Sequence, residues 1–265
     1  GGDIKLDQNT FLLEPVSSEN LHNNKSTRNF WVYVDGKGAW SATGRSAKQQ
    51  AKLFDDDKEQ VKLTAGIMWH KVERQTDEMG LKAELTTFVP YTQDKVELTK
   101  VTITNTADTT QKITSTVAIP MYARSASNIR DHRHVTSLLH RTFTIKDGIM
   151  IYPTLTFDER GHNKNTVFYG ALAKEMINGK MESPFSFCPV TEEFIGEGGN
   201  FENPYYVAKN KPLPYTEGQE VDGYETVAAI RFNDCELKPG ESRSYVIALE
   251  YGTSKEELES IGNKY

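Results

Sequence analysis

Residues 94–123 read DKVELTKVTITNTADTTQKITSTVAIPMYA. Apolar and polar residues alternate through Val96–Asn105 and again through Lys112–Ile119, with the polar tip Thr106–Thr110 between them. A two-residue period belongs to a strand with one face buried, and branched Val, Ile and Thr suit a pleated surface. The pattern predicts two long strands joined as a hairpin. The same signal recurs along the chain. Phe30–Val34 precedes a turn at Gly36 and Gly38 and a strand from Ala39, with Asp-Gly as the hairpin mark. Val61–Val72 alternates, and a run from Leu81 follows and ends at Pro90. Thr142–Phe157 turns at Asp147-Gly148, Val167–Glu175 reads as another strand, and LKPGES at 237–242 is a turn between two closing strands. Residues 181–223 are rich in glycine and proline and predict long ordered loops, anchored by Phe185, Phe187, Phe194, Phe201, Tyr205 and Tyr206. Only SKEELESIGNKY at the end reads as helix, with Ser254 as N-cap and Glu257 three residues on. The expected fold is all-β: a large antiparallel two-sheet sandwich over residues 1–252, with long loops and a short C-terminal helix over 253–265.

At 265 residues the chain is long enough to bury a core without covalent staples. Its formal net charge of −6 argues against general nucleic-acid binding, which needs a basic face to displace counterions. The two cysteines, Cys188 and Cys235, make neither a disulfide framework nor a zinc set and suit a reducing cytoplasm. No apolar run of 18 residues exists, so no membrane-spanning helix is expected, and GGDIKLDQNT at the start has no apolar signal region.

Against the acidic whole, RSASNIRDHRHVTSLLHR at 124–141 holds four arginines and one aspartate. A metal site, an anion site, a subunit contact and a solvated loop are all open readings. Asp131, His132 and His134, with His140 or His162 added, could ligate a divalent ion, but Arg130 and Arg133 interleave with them and repel a second cation. No HExxH, CxxC or EF-hand loop is present. Arginine forks suit phosphate or carboxylate, and histidine adds a titrating donor, so an anion or sugar fits better. The plain alternative pairs Asp131 with Arg130 or Arg133 on an exposed loop. Acids stand at Asp158 and Glu159, and at Glu192, Glu193, Glu197 and Glu202. Glycoside cleavage needs two carboxylates facing a sugar, but exposed acids are too common for any pair to be specific. GEGGNF lacks the following GKS or GKT of a phosphate loop, and GxSxG is absent. The residues alone therefore give no self-sufficient catalytic set. Trp31, Trp40 and Trp69 lie in strand patterns and read as core or inter-sheet packing, and of the aromatics Tyr122, beside the basic segment, is the more plausible ligand contact.

Several long stretches carry a resemblance: NFWVYVDGKGAWSATG, GIMWHKVERQTDEMGLKAELTTFVP, VELTKVTITNTADTTQKITSTVAIP, RSASNIRDHRHVTSLLH, PTLTFDERGHNKN, EEFIGEGGNFENP and VDGYETVAAIRFNDCELKPGES. From about Phe11 to Tyr251 the chain resembles the N-terminal domain of family-94 glycoside phosphorylases, the glycosyltransferase-36 type that includes cellobiose, cellodextrin and 1,2-β-oligoglucan phosphorylases. NIRDHRHVTSLLHR and FIGEGGNFENP are most similar to the 1,2-β-oligoglucan branch. The resemblance implies a galactose-mutarotase-like super-sandwich followed by a helical linker and an (α/α)6 barrel. It implies an inverting enzyme that cleaves β-glucan oligosaccharides with inorganic phosphate to α-glucose 1-phosphate and needs no other cofactor or metal. The catalytic aspartate would lie in the barrel, so none is assigned to this chain. The sandwich would build a homodimer and send loops toward a barrel active site. Those loops carry Tyr122, Arg124, Asn128, Arg130, Asp131, His132, Arg133 and His134 on the first, Glu159, Arg160 and His162 on the second, and Glu197 and Asn200 on the third. Thr191–Glu202 holds four glutamates and no cation, so charge predicts that the three loops converge on one edge. A free-standing carbohydrate-binding or assembly module, and a mutarotase-like enzyme using its own His and Glu, are the competing readings.

Overall fold

The computed structural model describes residues 10–15, 27–125, 133–158 and 161–265. Two antiparallel sheets face each other. Nine strands of the larger run in the order Glu220–Asp222, His140–Ile145, Gly148–Pro153, Phe168–Ile177, Ser242–Gly252, Val96–Asn105, Leu81–Phe88, Trp69–Thr76, Gln60–Gly66, and Lys180–Glu182 pairs beside Phe168–Ile177. The smaller runs Ser186–Val190, Thr226–Arg231, Gln111–Met121, Asn29–Val34, Gly38–Ser41, with Cys235–Leu237 also on Gln111–Met121. The all-β two-sheet expectation holds. Between the sheets Phe30, Val32, Val117, Ile119 and Ile230 of the smaller meet Leu81, Val101, Ile103, Tyr169, Tyr245 and Ile247 of the larger. Phe30 and Phe232 pack on Tyr245 at ring-centroid distances of 5.0 and 4.7 Å.

The opening stretch folds into two strands, but they are not a hairpin. Val96–Asn105 pairs within the larger sheet, and Gln111–Met121 within the smaller. The tip at 106–110 is a crossover between layers. Alternation shows that each strand has a buried face; it cannot distinguish strands that pair edge to edge from strands that stack face to face. LKPGES crosses in the same way, from Cys235–Leu237 in the smaller sheet to Ser242–Gly252 in the larger. Both crossovers meet at Asn105, which is wholly buried. Its Nδ2 donates to the Thr109 and Leu237 carbonyls, each at 2.8 Å. Its Oδ1 accepts from Gln111 Nε2 at 2.7 Å and from the Ala107 N–H at 2.9 Å. Its main chain donates to the Glu241 carbonyl at 3.0 Å and accepts from the Gly240 N–H at 2.9 Å.

Val96–Asn105 also changes its buried face midway. Val96 and Leu98 pack outward, beneath a helix, and Val101 and Ile103 pack inward, with exposed Lys100 at the change. The cover is the helix Lys255–Lys264, whose Leu258 and Ile261 are buried. Its start follows expectation, with Ser254 Oγ accepting from the Glu257 N–H at 3.1 Å. The outer face of the smaller sheet is covered by the residue 181–223 region. This region holds more regular structure than the predicted loops: strands Lys180–Glu182 and Ser186–Val190 and short helices Thr191–Ile195 and Tyr205–Ala208. Phe194, Val207 and Leu213 from it pack on Trp31, Ala118, Val227 and Ala229. With both faces covered, Thr226–Arg231 is buried at every position. Burial pushes the Cys188 thiol up to about 12 and Cys235 to about 11, and both cysteines are unpaired.

At one edge the larger sheet overhangs the smaller. One cross-strand row runs Leu63, Val72, Leu85, Val101. Val101 is 0% exposed, Leu85 8% and Leu63 68%, so the row emerges from the core as it nears the edge. The predicted single run Val61–Val72 is in fact two strands with a turn at Gly66–Trp69, where Met68 takes φ 64°. Trp69, expected in the core, sits at that turn in the cross-strand row Trp69, Phe88, Leu98, which lies on the outer face of the larger sheet, and is 40% exposed; Trp31 and Trp40 are buried as expected.

Asn105→Ala leaves buried carbonyls and an amide without partners at the meeting of both crossovers, and is expected to lower the unfolding free energy by about 3 kcal/mol in urea titration. Thr104→Ala, next door on the exposed face, is the control and should change it by less than about 0.5 kcal/mol.

Candidate functional site

After Gln111–Met121 the chain leaves the smaller sheet through Ala123, at φ 46°. It then forms the two-residue strand Arg124–Ser125, which pairs with Thr10–Phe11. Arg124 is buried, and its guanidinium grips Glu225, with Nη2 at 2.8 Å from Oε1 and Nη1 at 3.3 Å from Oε2. The guanidinium carbon stands 5.4 Å from the centre of the Tyr122 ring. Tyr122 is buried too, and its hydroxyl donates to the Ser125 carbonyl at 2.8 Å. Tyr122 and Arg124 therefore direct their side chains into the domain, and the expectation that Tyr122 faces a ligand is corrected: its ring is buried beside Arg124.

The three predicted stretches meet here. A cavity of about 20 Å³, room for one water, is lined by Tyr122, Glu14, Thr191, Phe201, Glu225 and Thr226. Phe201 and Thr191 bring the acidic stretch to it, and the Thr191 N–H donates to the Glu225 carbonyl at 2.9 Å. The second stretch forms the hairpin Leu155–Asp158 and Gly161–Lys164, whose first strand lies against Arg124–Ser125. Within this arrangement Glu197 is exposed at the tip after helix Thr191–Ile195. Asn200 Oδ1 accepts from the Glu202 and Asn203 N–H groups at 2.9 and 3.0 Å and so shapes its turn. His162 is exposed on the hairpin, opposite Phe157. Asn128, Arg130, Asp131, His132, Glu159 and Arg160 lie outside the described residues, and Arg133 and His134 are placed only as the first turn of the helix Arg133–Ser137.

The anticipated basic–acidic contact is made, among the described residues, by Glu225 and not by a glutamate of Thr191–Glu202. Sequence reading missed Glu225 and Glu14. Each is a lone acid beside a strand, with no spacing to distinguish it. His140 closes the site from behind. It is wholly buried. Burial, and then the Arg124 charge, hold its pKa well below the usual histidine value, so the ring is neutral. Arg141, half-exposed, pairs with Asp222 at 3.3 Å. Among the described residues no three His, Cys, Asp or Glu side chains come together to hold a metal. Chemically, this end offers a bidentate ion pair, Arg124 with Glu225, at the start of the basic stretch and beside the acidic one. A separate open groove of about 1130 Å³ lies beside the overhang, lined by Trp40, Leu53, Val61 and Met79. Within it Glu59 accepts from Trp40, Gln49 and Arg74 at 2.8, 2.7 and 3.0 Å.

Residues 7–265 match the glycosyl hydrolase 94 supersandwich domain, and the chain belongs to that family, a domain of glycoside-active enzymes. Among solved structures the polysaccharide lyase BACCELL_00875 superposes with a TM-score of 0.51 at 11% identity, over 97% of this chain and 31% of that one, which shows a shared fold alone. The family-36 α-galactosidase AgaB from Geobacillus stearothermophilus gives 0.32 at 10% identity, over 92% of this chain and 32% of its own. A GalM/aldose epimerase homologue from C. elegans gives 0.37 at 12% identity, over 75% and 69%. No curated protein sequence matches. The chain spans less than a third of the length of the lyase and the galactosidase.

Glu225→Gln should lower stability by about 2 kcal/mol, less than for a wholly buried pair because Glu225 keeps some surface in water. In a double-mutant cycle with Arg124→Met the coupling should exceed about 0.5 kcal/mol. Additive losses would mean that the two residues do not act as a clamp.

Proposed function

We propose that this chain is the non-catalytic N-terminal sandwich of an inverting glycoside phosphorylase. The whole enzyme would phosphorolyse β-linked gluco-oligosaccharides, of the 1,2-β type, to α-glucose 1-phosphate. Its catalytic acid and phosphate ligands belong to a barrel domain outside this chain. The role of the sandwich is to hold dimer contacts and to present loops that complete the sugar site. The observation that carries this reading is the family match over residues 7–265, joined to the convergence of three polar stretches on the Arg124–Glu225 clamp.

Physical chemistry supports the division of labour. Arg124 is gripped by Glu225 and the Tyr122 hydroxyl is bonded to the Ser125 carbonyl, so in this reading their part is to position the loops. The arginines of the basic segment, Arg130 and Arg133, are donors of the kind that suit sugar hydroxyls, phosphate or a partner's acidic loop. A rigid base with polar loops above it is the usual arrangement for binding residues, because the scaffold meets the entropy cost of ordering them.

In the full-length enzyme, phosphate with 1,2-β-linked oligosaccharide should release glucose 1-phosphate, and this chain alone should release none. Activity on cellobiose only would refute the linkage, and release by this chain alone would refute the non-catalytic role. Arg130→Ala and Arg133→Ala in the full-length enzyme should lower kcat/KM by about tenfold or more, a loss of about 1.4 kcal/mol of transition-state stabilisation, with an unchanged melting curve. Unchanged kinetics would return the segment to a solvated loop.

A further inference from the structure

The helix Lys255–Lys264 packs on the outer face of the larger sheet, against Phe168–Ile177 and Ser242–Gly252. Its Leu258 and Ile261 meet Val96, Leu98, Leu172 and Ala248. In this apolar seat stands Glu250. The two-residue period puts it there, since Val246 and Ala248 share its face. It is 0% exposed, and neither carboxyl oxygen has a hydrogen-bond partner among the described residues.

The helix lies directly over the carboxyl group. Gly170 is its cross-strand neighbour, and a Cβ built there would lie 3.0 Å from Leu258 Cδ2 and 3.1 Å from Glu250 Oε1. A Cβ on Gly262 of the helix would lie 2.3 Å from Leu172 Cδ2 and 4.0 Å from the same oxygen. Two charged groups act on Glu250: Lys174 from the sheet and Glu257 from the helix. Lys174 is committed elsewhere, donating to the Gly262 carbonyl at 2.6 Å and standing 3.8 Å from Asp147. Glu257 is held by Lys95 at 3.2 Å and by the Thr253 N–H at 2.7 Å. At the far end of the helix Lys264 and Tyr265 both bind Asp94. Among the described residues no cation is left to neutralise a carboxylate in the seat. A buried carboxylate without a partner is too costly to keep, and the group retains its proton instead.

We propose that seating of the helix Lys255–Lys264 is proton-coupled: Glu250 is a neutral carboxylic acid beneath the seated helix, and its ionisation loosens the helix from the sheet. Burial pushes this carboxyl up to about 8, with Lys174 lowering it and Glu257 raising it. Its ordinary value is 4.5. Between these two values the seated state holds a proton that the unseated state has released. The seated state therefore loses ground as pH rises through that window, by up to about tenfold in the seating equilibrium per pH unit, and levels off above it.

Amide hydrogen exchange of residues 255–264 tests this in the protein that carries this chain, from about pH 5 to pH 9 and corrected for intrinsic rates. Wild-type protection of the helix should fall up to about tenfold per pH unit across the window, while that of Thr226–Arg231 does not follow it. Glu250→Gln should flatten the dependence and protect the helix more strongly at the alkaline end. Flat wild-type protection, or an unchanged slope in Glu250→Gln, would overturn the proposal. Should that variant fail to fold, the wild type still decides. Carboxyl-labelled glutamate must show a protonated carbonyl stretch at neutral pH that disappears as pH is raised through the upper end of the window. Its absence at neutral pH would overturn the proposal equally.

Discussion

One buried amide fixes how the two sheets relate. Asn105 closes both crossovers between them, with its side chain bonded to Thr109, Leu237, Gln111 and Ala107 and its main chain to Gly240 and Glu241. Each bond alone contributes only about 1 kcal/mol net, but leaving such groups unpaired in the interior costs more than forming them gains. The amide thus sets where strand Val96–Asn105 ends, where strand Gln111–Met121 begins, and where the last long strand enters the larger sheet. From that origin Gln111–Met121 carries the chain through the smaller sheet to Tyr122 and Arg124. The place of the polar site is a consequence of the crossover.

The unequal sizes of the sheets explain most of the surface. Where the layers overlap, the core is aliphatic with an aromatic cluster at Phe30, Phe232 and Tyr245. Where the larger sheet runs past the smaller, Val61 and Leu63 keep their inward side but have nothing to face, and a groove opens beside Trp40 and Glu59. On the outer faces, the residue 181–223 region and the helix Lys255–Lys264 serve as covers. That is why Thr226–Arg231 is buried throughout and why Val96–Asn105 changes its apolar face midway without a break in register.

Much of the fold was legible in the sequence because alternation reports burial directly. The strand at Phe168, the turns at Asp147-Gly148 and Gly36, and the Ser254 cap all follow from local chemistry. Pairing was not legible. Thr106–Thr110 has a hairpin's composition, and only Asn105, an ordinary polar residue in the sequence, reveals a crossover once its six bonds are seen. Trp69 was misplaced for a similar reason: alternation shows that successive residues take opposite faces, but not which face looks toward the second sheet, and Trp69 lies on the outer one with Phe88 and Leu98. At the site, opposite charge suggested that the basic stretch meets Thr191–Glu202, but among the described residues the basic stretch is held by Glu225 instead. That contact, Arg124 with Glu225, joins residues 101 positions apart and leaves no local mark.

The chain belongs to the glycosyl hydrolase 94 supersandwich family, and the Arg124–Glu225 clamp lies at one end of the sandwich. The central claim is that this end faces the sugar. A crystal structure of the full-length enzyme with a 1,2-β-linked gluco-oligosaccharide and phosphate tests it most directly. The account predicts that side chains of the Arg124–Arg141 or Thr191–Glu202 stretches lie within hydrogen-bond reach of the bound sugar or phosphate, in the same subunit or across the dimer. A structure in which this end of the sandwich faces open solvent, far from any bound ligand, would contradict it.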